Sequence, residues 1–214
     1  MSPFTLDSLK LKIFTALFIT AVGTETVYYF YKRLRKHPKK RIQNEVLFFP
    51  DKGIACSAYF DQKSGCNMPN CSYTHEITNL RRVIERLRTS KKSLDVCIFI
   101  LTCYEIGQEI VNLKRKGVKI RIIVDYEMAN SSGSQIELFR KHGIPVRTKN
   151  VSQLMHHKFA IIDEEFLICG SFNWTMQAVT SNWENVILTS EPELVQPFAT
   201  HFQDLWNEFS NSRN

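Results

Sequence analysis

The sequence predicts an α/β fold: a mixed β-sheet flanked by helices, with an N-terminal transmembrane helix and a small Cys3His zinc finger. Three observations support this architecture. Short apolar runs alternate with amphipathic segments from Glu45 onward, an apolar segment of nineteen residues precedes them, and three cysteines and a histidine cluster between positions 56 and 75. Alternating strand-like and helix-like segments are typical of a sheet covered by helices.

The N-terminal segment is predicted to anchor the protein in a membrane. Residues 13–31 contain one charge, Glu25, and are about as long as a helix that crosses a hydrocarbon core. Residues 32–41 contain seven lysines and arginines, and the positive-inside rule places such a flank in the cytosol. We therefore assign residues 1–31 to an anchor and 32–44 to a basic linker. A signal peptide and a buried core helix are the alternatives.

Residues 45–211 are assigned to one catalytic domain, which includes the predicted finger at 56–75. Apolar runs bounded by glycine and acidic residues predict its strands, and apolar residues at helical spacing predict its helices. Strands are predicted at 94–101, 118–124, 144–147, 156–162, 166–168 and 184–188, and helices at 105–116, 134–142 and 192–209.

The composition narrows the kind of partner and the compartment. Lysine and arginine total 28 against 21 acidic residues, and the resulting charge of +7 favours an anionic partner such as nucleic acid or an acidic membrane. The six cysteines are even in number, as in disulfide-bonded proteins. However, Cys97 and Cys169 lie in apolar runs typical of buried thiols, so we favour a reducing compartment.

The residues that carry chemistry lie between positions 155 and 173. His156 and Lys158 are two apart on a predicted strand, so their side chains share one face, while His157 points to the other. An imidazole can attack phosphorus, and a neighbouring ammonium can neutralise the non-bridging oxygens. The segment that follows the next predicted strand contains Gly170, whose backbone can approach a phosphate closely. It also contains Ser171 and Asn173, whose side chains can form hydrogen bonds with a phosphate.

The spacing H-x-K-x4-D-x6-G-S-x-N resembles the HKD motif of the phospholipase D superfamily. The resemblance implies a phospholipase D-like fold, a covalent phosphohistidine intermediate and no catalytic metal. It implies that His156 is nucleophile or general acid, that Lys158 and Asn173 bind the phosphate, and that Asp163 is more structural than chemical. Glu184 matches the superfamily carboxylate that holds the histidine ring by its other nitrogen.

A single HKD motif occurs in the chain. The superfamily mechanism uses two histidines, one that attacks and one that protonates the leaving oxygen. A chain with one motif must obtain the second histidine from a copy of itself. We therefore predict a two-fold homodimer with both His156 side chains in one interfacial site.

A second set of chemically reactive residues precedes the catalytic motif. Cys56-x9-Cys66-x4-Cys71-x3-His75 supplies three thiols and one imidazole, a set suited to tetrahedral zinc. Because all four coordination positions are filled, this zinc site is predicted to be structural. A chance grouping of buried cysteines with one histidine is the alternative.

The apolar segment, basic linker, Cys3His finger and single HKD motif together resemble the mitochondrial phospholipase D-like family, also called Zucchini or mitochondrial cardiolipin hydrolase. The family implies a single-pass protein of the outer mitochondrial membrane with its catalytic domain in the cytosol. It also implies two activities, single-strand endoribonuclease cleavage of Piwi-interacting RNA precursors and hydrolysis of cardiolipin to phosphatidic acid. A non-enzymatic RNA-binding scaffold is disfavoured because the motif is intact.

Basic residues outside the linker make single-stranded RNA the expected substrate and cardiolipin the alternative, because a polyanion can bind along a positive groove. These residues are Arg81, Arg82, Arg86, Arg88, Lys91, Lys92, Lys114, Arg115 and Lys116.

Overall fold

The computed structural model describes residues 14–29, except 16, 19 and 21, and residues 41–210. The chain divides into two compact units, residues 1–41 and residues 42–214. In the first unit the described residues between 14 and 29 are helical. More than half of the predicted anchor at 1–31, and residues 32–40 of the linker, lie outside the described residues. Within the described part of the chain, no helix combines the length and apolar character that a membrane crossing needs.

The second unit is built on a seven-stranded mixed sheet with the order β1-β7-β6-β5-β2-β3-β4. Strands β2, β3 and β4 pair in parallel, and all other pairs are antiparallel. The strands are β1 Asn44–Phe49, β2 Ser93–Ile98, β3 Lys119–Val124, β4 Val146–Arg147, β5 Lys158–Ile162, β6 Phe166–Gly170 and β7 Glu184–Thr189. The helices are α1 Ser57–Asp61, α2 Asn79–Arg88, α3 Tyr104–Arg115, α4 Tyr126–Ala129, α5 Ile136–Lys141, α6 Met176–Thr180 and α7 Pro192–Ser210.

Both faces of the central strands are buried, each in a separate apolar core. On β5, Ala160 and Ile162 pack in the core formed with α2, α3 and α5. Phe159 and Ile161 point to the other face and pack with Phe202 of α7. This alternation confirms the predicted period of two along the strand.

The predicted strands and helices are present with shifted ends. The strand predicted at 156–162 begins at Lys158, so His156 lies just before it and not within it. The helix predicted at 134–142 is shorter, Ile136–Lys141. Five elements were not predicted: the edge strand β1 and the helices α1, α2, α4 and α6. The amphipathic α2 is capped in its first turn by Thr78. The expected mixed sheet flanked by helices is confirmed.

Candidate active site

The backbone around His156 is held on both sides by hydrogen bonds. Before it, the Met155 N–H donates to Oδ2 of Asp125 at 3.1 Å. After it, the Phe99 N–H donates to the carbonyl oxygen of His157 at 2.8 Å, which continues the pairing of β2 with β5. Asp125 is itself buried, and its Oδ1 caps the first turn of α4. The position of His156 is therefore fixed by the end of β3 as well as by β5.

His156 and Lys158 converge on the ring of Phe99, at the end of β2. The imidazole and phenyl centroids are 4.6 Å apart in an edge-to-face arrangement, and Lys158 Nζ lies 5.1 Å from the same ring. Lys158 Nζ also donates to the His156 carbonyl oxygen at 2.9 Å. His157 points to the opposite side, where its Nε2 lies 3.1 Å from Nε2 of His201. The structure thus brings the predicted pair together and separates His157 from it.

Two opposing effects act on the pKa of the Lys158 ammonium. Burial lowers the pKa of the ammonium below its ordinary value, and the nearby carboxylate of Glu184 acts in the other direction. The Lys158 ammonium is partly desolvated and forms no ion pair with a described residue. It can therefore exchange its remaining water for the oxygens of a phosphate.

Glu184 begins β7 and is held by neighbours other than His156. Ser171 Oγ donates to Oε2 of Glu184, and Asn182 Nδ2 donates to Oε1 at 3.1 Å. The Ser171 hydroxyl also accepts the N–H of Asn185 at 3.1 Å, so this residue joins the ends of β6 and β7. Among the residues that the structure describes, no hydrogen bond links Glu184 to the His156 ring. The Glu184 carboxylate lies at the same end of the sheet as Lys158, where it contributes negative charge and holds the Ser171 hydroxyl.

Asn173 and Gly170 complete this end of the sheet. The buried side-chain oxygen of Asn173 accepts no hydrogen bond from any described residue, so its amide keeps an unused acceptor beside the site. The following residue, Trp174, donates its N–H to the Ile100 carbonyl oxygen at 3.3 Å, which places Asn173 beside the end of β2. A Cβ on Gly170 would lie 2.0 Å from the Asn185 carbonyl oxygen. The glycine is therefore needed for contact between β6 and β7, and the approach to a phosphate that the sequence suggested stays a prediction.

Asp163 lies at the opposite end of β5, about 16 Å from Lys158 at the usual rise per residue. With Glu164 it forms the turn between β5 and β6, and both residues have positive φ, 55° and 59°. Its carboxylate accepts the backbone N–H groups of Lys91, Lys92 and Ser93 at 2.7–3.2 Å. Burial raises the pKa of this carboxyl, but the three N–H donors lower it by more, so its pKa is below its ordinary value.

Comparison with known proteins identifies the family. A family described as "Cardiolipin synthase, PLD-like domain" matches residues 83–206, more than half of the chain. The chain belongs to the phospholipase D family. It is therefore a phosphodiesterase, a hydrolase of the phospholipase D superfamily.

Named relatives and solved structures agree with this phospholipase D assignment. A mitochondrial cardiolipin hydrolase of Chlamydomonas reinhardtii is 44% identical over 165 residues, which cover 77% of this chain and 74% of the relative. The protein of the same name from Danio rerio is 41% identical, with coverages of 86% and 81%. Nuc, a phospholipase D family member from Salmonella typhimurium, has a TM-score of 0.62 at 24% identity, covering 78% of this chain and 95% of Nuc, which shows the shared fold.

The basic residues that favoured RNA lie away from the site of this phospholipase D chain. Lys91 and Lys92 precede β2, and Lys114 closes α3 just before β3, whereas Phe99 follows β2 at its other end. The length of β2 separates these ends by about 17 Å. On α2, Arg82 pairs with Glu45, and three further ion pairs join Arg81 and Arg88 to Asp61 and Glu109: Arg81–Asp61, Arg88–Asp61 and Arg88–Glu109. These ion pairs neutralise the charges of Arg81, Arg82 and Arg88 within the fold.

Cys56, Cys66, Cys71 and His75 come together as predicted. Their ligand atoms all lie within 4.8 Å of one another, and this set could hold a metal ion. Tetrahedral zinc with thiolate bonds of about 2.3 Å places sulfur atoms roughly 3.8 Å apart, so the four groups fit with a small contraction. The His75 ring stacks on Tyr59 with centroids 4.4 Å apart, which orients the imidazole.

The metal-ligand loop is attached to the body of the enzyme through Asp61 of α1. Its two carboxylate oxygens accept from both Nη atoms of Arg81 at 2.8 Å, and Arg88 adds a third contact at 2.7 Å. Hydrogen bonds from Arg81 and the neighbouring Arg88 lower the pKa of the Asp61 carboxyl well below its usual range. Arg88 in turn pairs with the buried Glu109 at 2.8 Å.

Proposed function

We propose that this phosphodiesterase acts as a two-fold homodimer in which each chain contributes His156 to one shared site. The observation that carries the proposal is that His156 and Lys158 meet on Phe99 while His157, the nearest other histidine in sequence, faces α7. Among the residues that the structure describes, His156 is the histidine beside Lys158, so one chain offers one imidazole to a phosphate bound there. The second imidazole comes from a partner subunit.

The reaction then has two balanced steps. One His156 attacks phosphorus and forms a P–N bond as the P–O bond to the leaving group breaks. The second imidazole gives its proton to the leaving oxygen, and afterwards it takes a proton from the water that cleaves the P–N bond. Lys158 stabilises the negative charge on the non-bridging oxygens, and the amide of Asn173 contacts the same phosphate.

Cardiolipin is the substrate that the site supports best. The relatives at 32–44% identity are named mitochondrial cardiolipin hydrolases. Exposed apolar side chains, Leu154 and Trp183, lie two residues before His156 and one before Glu184, where acyl chains need apolar contacts. The product would be phosphatidic acid. The enzyme would act at the outer mitochondrial membrane, with residues 13–31 as a single-pass anchor and the catalytic domain in the cytosol.

Single-stranded RNA is a second candidate substrate, as in the processing of Piwi-interacting RNA precursors. The half-buried ring of Phe99 beside His156 favours it, because a base next to the cleaved phosphate can stack on an aromatic side chain. Charge no longer favours RNA, because Lys91, Lys92 and Lys114 lie at the other end of the sheet, and Arg81, Arg82 and Arg88 are paired with carboxylates.

Subunit mixing tests the shared site. Inactive His156→Asn chains are unfolded, refolded with wild-type chains in varied ratio, and assayed on bis(p-nitrophenyl) phosphate, cardiolipin vesicles and single-stranded RNA. If both histidines are required, an equal mixture retains about one quarter of the wild-type activity, because only wild-type pairs are active. Retention of about one half would show that one chain suffices. The rates at which wild-type pairs cleave cardiolipin and single-stranded RNA show which substrate the site favours.

We further propose that the Cys3His set binds zinc as a structural ion. Thiolate and imidazole ligands favour zinc among common divalent ions, and four protein ligands leave no position for substrate. The proposal is supported by the convergence of the four ligand atoms within 4.8 Å. Bound zinc would order the loop whose Asp61 contacts Arg81 and Arg88. Metal analysis of the purified protein is the direct test.

A further inference from the structure

Within the described part of the second unit, residues 42–210, no element covers one face of the sheet at β1 and β7. Helix α7 packs against β4, β5 and β6 on this side, and Val46, Phe48 and Ile187 of the outer two strands remain exposed. Val46 is opposite Ile187, and Phe48 is opposite Asn185, so the side chains share one face. Phe48 is 69% exposed, and Trp183, which directly precedes β7, is 91% exposed.

These four residues form an apolar strip, Val46, Phe48, Trp183 and Ile187, that reaches the catalytic end of the sheet. Phe49 pairs with Glu184, so Phe48 lies one residue from the strand end that carries this carboxylate. Trp183 is the residue before Glu184. Lys158 shares the face of Ala160, so it points to the other face of the sheet, and the strip approaches a phosphodiester bound at Lys158 around the end of the sheet that both share.

We propose that this strip docks the catalytic domain on an anionic lipid bilayer, with Trp183 and Phe48 inserted at the interface. The proposal rests on cardiolipin as the substrate, since its phosphodiester lies at the level of the headgroups. Aromatic side chains are favoured at this level because an apolar ring enters the acyl region while the polar edge stays hydrated.

Charge supports a bilayer as the occupant. Exposed Arg41 and Lys52 flank β1 in sequence. Basic residues next to inserted aromatic side chains attract anionic lipids and add to the apolar contribution. An uncovered apolar face on an edge strand is also a risk for aggregation, which a membrane contact removes.

Tryptophan fluorescence tests the docking directly. Of the three tryptophans, Trp174 is 2% exposed and Trp206 is 8% exposed, so Trp183 alone reports contact with solvent or lipid. The full-length protein is reconstituted in vesicles of phosphatidylcholine and cardiolipin, with and without lipids brominated near the glycerol backbone. We expect brominated lipids to quench the Trp183 emission and vesicles to reduce its quenching by acrylamide. Trp183→Phe supplies the background signal.

Activity supplies the second measurement. Phe48→Ser and Val46→Ser are expected to reduce cleavage of cardiolipin in vesicles about tenfold each, with bis(p-nitrophenyl) phosphate cleavage unchanged. Ile77→Ser removes an apolar side chain that is as exposed as Val46 (53% against 52%) from outside the strip and should leave both activities unchanged.

The outcomes distinguish a failure of the proposed docking surface from a failure of the proposed hydrolysis of cardiolipin. If neither cardiolipin nor bis(p-nitrophenyl) phosphate is cleaved, the proposed function fails whatever the fluorescence shows. If cardiolipin is cleaved while acrylamide quenching is the same with and without vesicles, the docking surface is wrong. Protection that grows with protein concentration in detergent, without quenching by brominated lipid, would assign the strip to contact between copies. Protection seen only with single-stranded RNA would assign it to RNA.

Discussion

Asp163 offers a clear test of whether a residue of the catalytic motif acts in chemistry or in folding. Its carboxylate accepts three backbone N–H groups that precede β2. Each such bond contributes about 1 kcal/mol net at this partly exposed site, and alanine at positive φ costs about 1 kcal/mol more. We therefore expect Asp163→Ala to lower the free energy of unfolding by about 3–4 kcal/mol. Asp163→Asn keeps one acceptor oxygen and tolerates positive φ, so about 1 kcal/mol should be lost.

The pH dependence of the same variant has a definite sign. The pKa of Asp163 is lower in the folded protein than in the unfolded chain, so its charge stabilises the fold at pH values above the unfolded pKa, about 3.9. That contribution is lost as the pH falls through the folded pKa. The stability difference between wild type and Asp163→Asn should therefore be full at pH 7 and shrink below about pH 4.

Urea denaturation followed by circular dichroism, together with kcat on bis(p-nitrophenyl) phosphate, measures both properties. Because Asp163 lies about 16 Å from Lys158, kcat per folded enzyme should change less than about threefold in Asp163→Asn. A hundredfold fall in kcat with the urea midpoint at the wild-type value would show instead that Asp163 acts in the chemistry.

Three further substitutions test other parts of the structure. Gly170→Ala should cost at least about 3 kcal/mol of unfolding free energy, because a Cβ would lie 2.0 Å from a carbonyl oxygen of β7. Gly53→Ala, where the nearest atom is 3.7 Å away, is the control in the same denaturation experiment. Cys71→Ser should lower both the bound zinc and the melting temperature, and unchanged metal content would exclude this ligand. Asp125→Asn should lower kcat about tenfold by loosening the backbone before His156, with wild-type secondary structure by circular dichroism.

The pattern of the catalytic strand could be predicted because it depends on local periodicity. The two-residue spacing places Lys158 and Ala160 on one face and Phe159 on the other, whatever else the chain does. The Cys3His set was likewise predictable, since its ligands are close in sequence and only one chemistry suits them.

Contacts between distant segments could not be predicted in this way. Nothing in the local sequence of β2 shows that Phe99 will lie beneath His156, because the pairing of β2 with β5 is set by packing across the whole sheet. The same limit applies to Asp125, whose carboxylate reaches a backbone N–H thirty residues away. The buried end of β3 with a terminal aspartate was the available signal, but it does not identify the partner.

Charge was the least reliable guide to function. Arg81 and Arg88 looked like part of a solvent-facing surface for a polyanion, yet both are engaged with carboxylates from other segments. A count of basic residues along a helix does not show which of them are neutralised in the fold. Whether a charged side chain can act at a site depends on which end of the sheet it occupies, and the sequence alone does not give this.

The two arginine contacts of Asp61 have a consequence for how this protein can diverge. Because Asp61 belongs to the metal-ligand loop, a descendant that lost the loop would leave Arg81, only 7% exposed, without its bidentate partner. Arg81 would keep only the half-exposed Glu85 at its Nε, and its buried Nη atoms would lose both acceptors, which is destabilising. Positions 61, 81 and 88 should therefore covary with the four metal ligands across lineages. Homologues without the cysteines should carry neutral residues at 81, and the metal-ligand loop and the enzyme core should evolve as one unit.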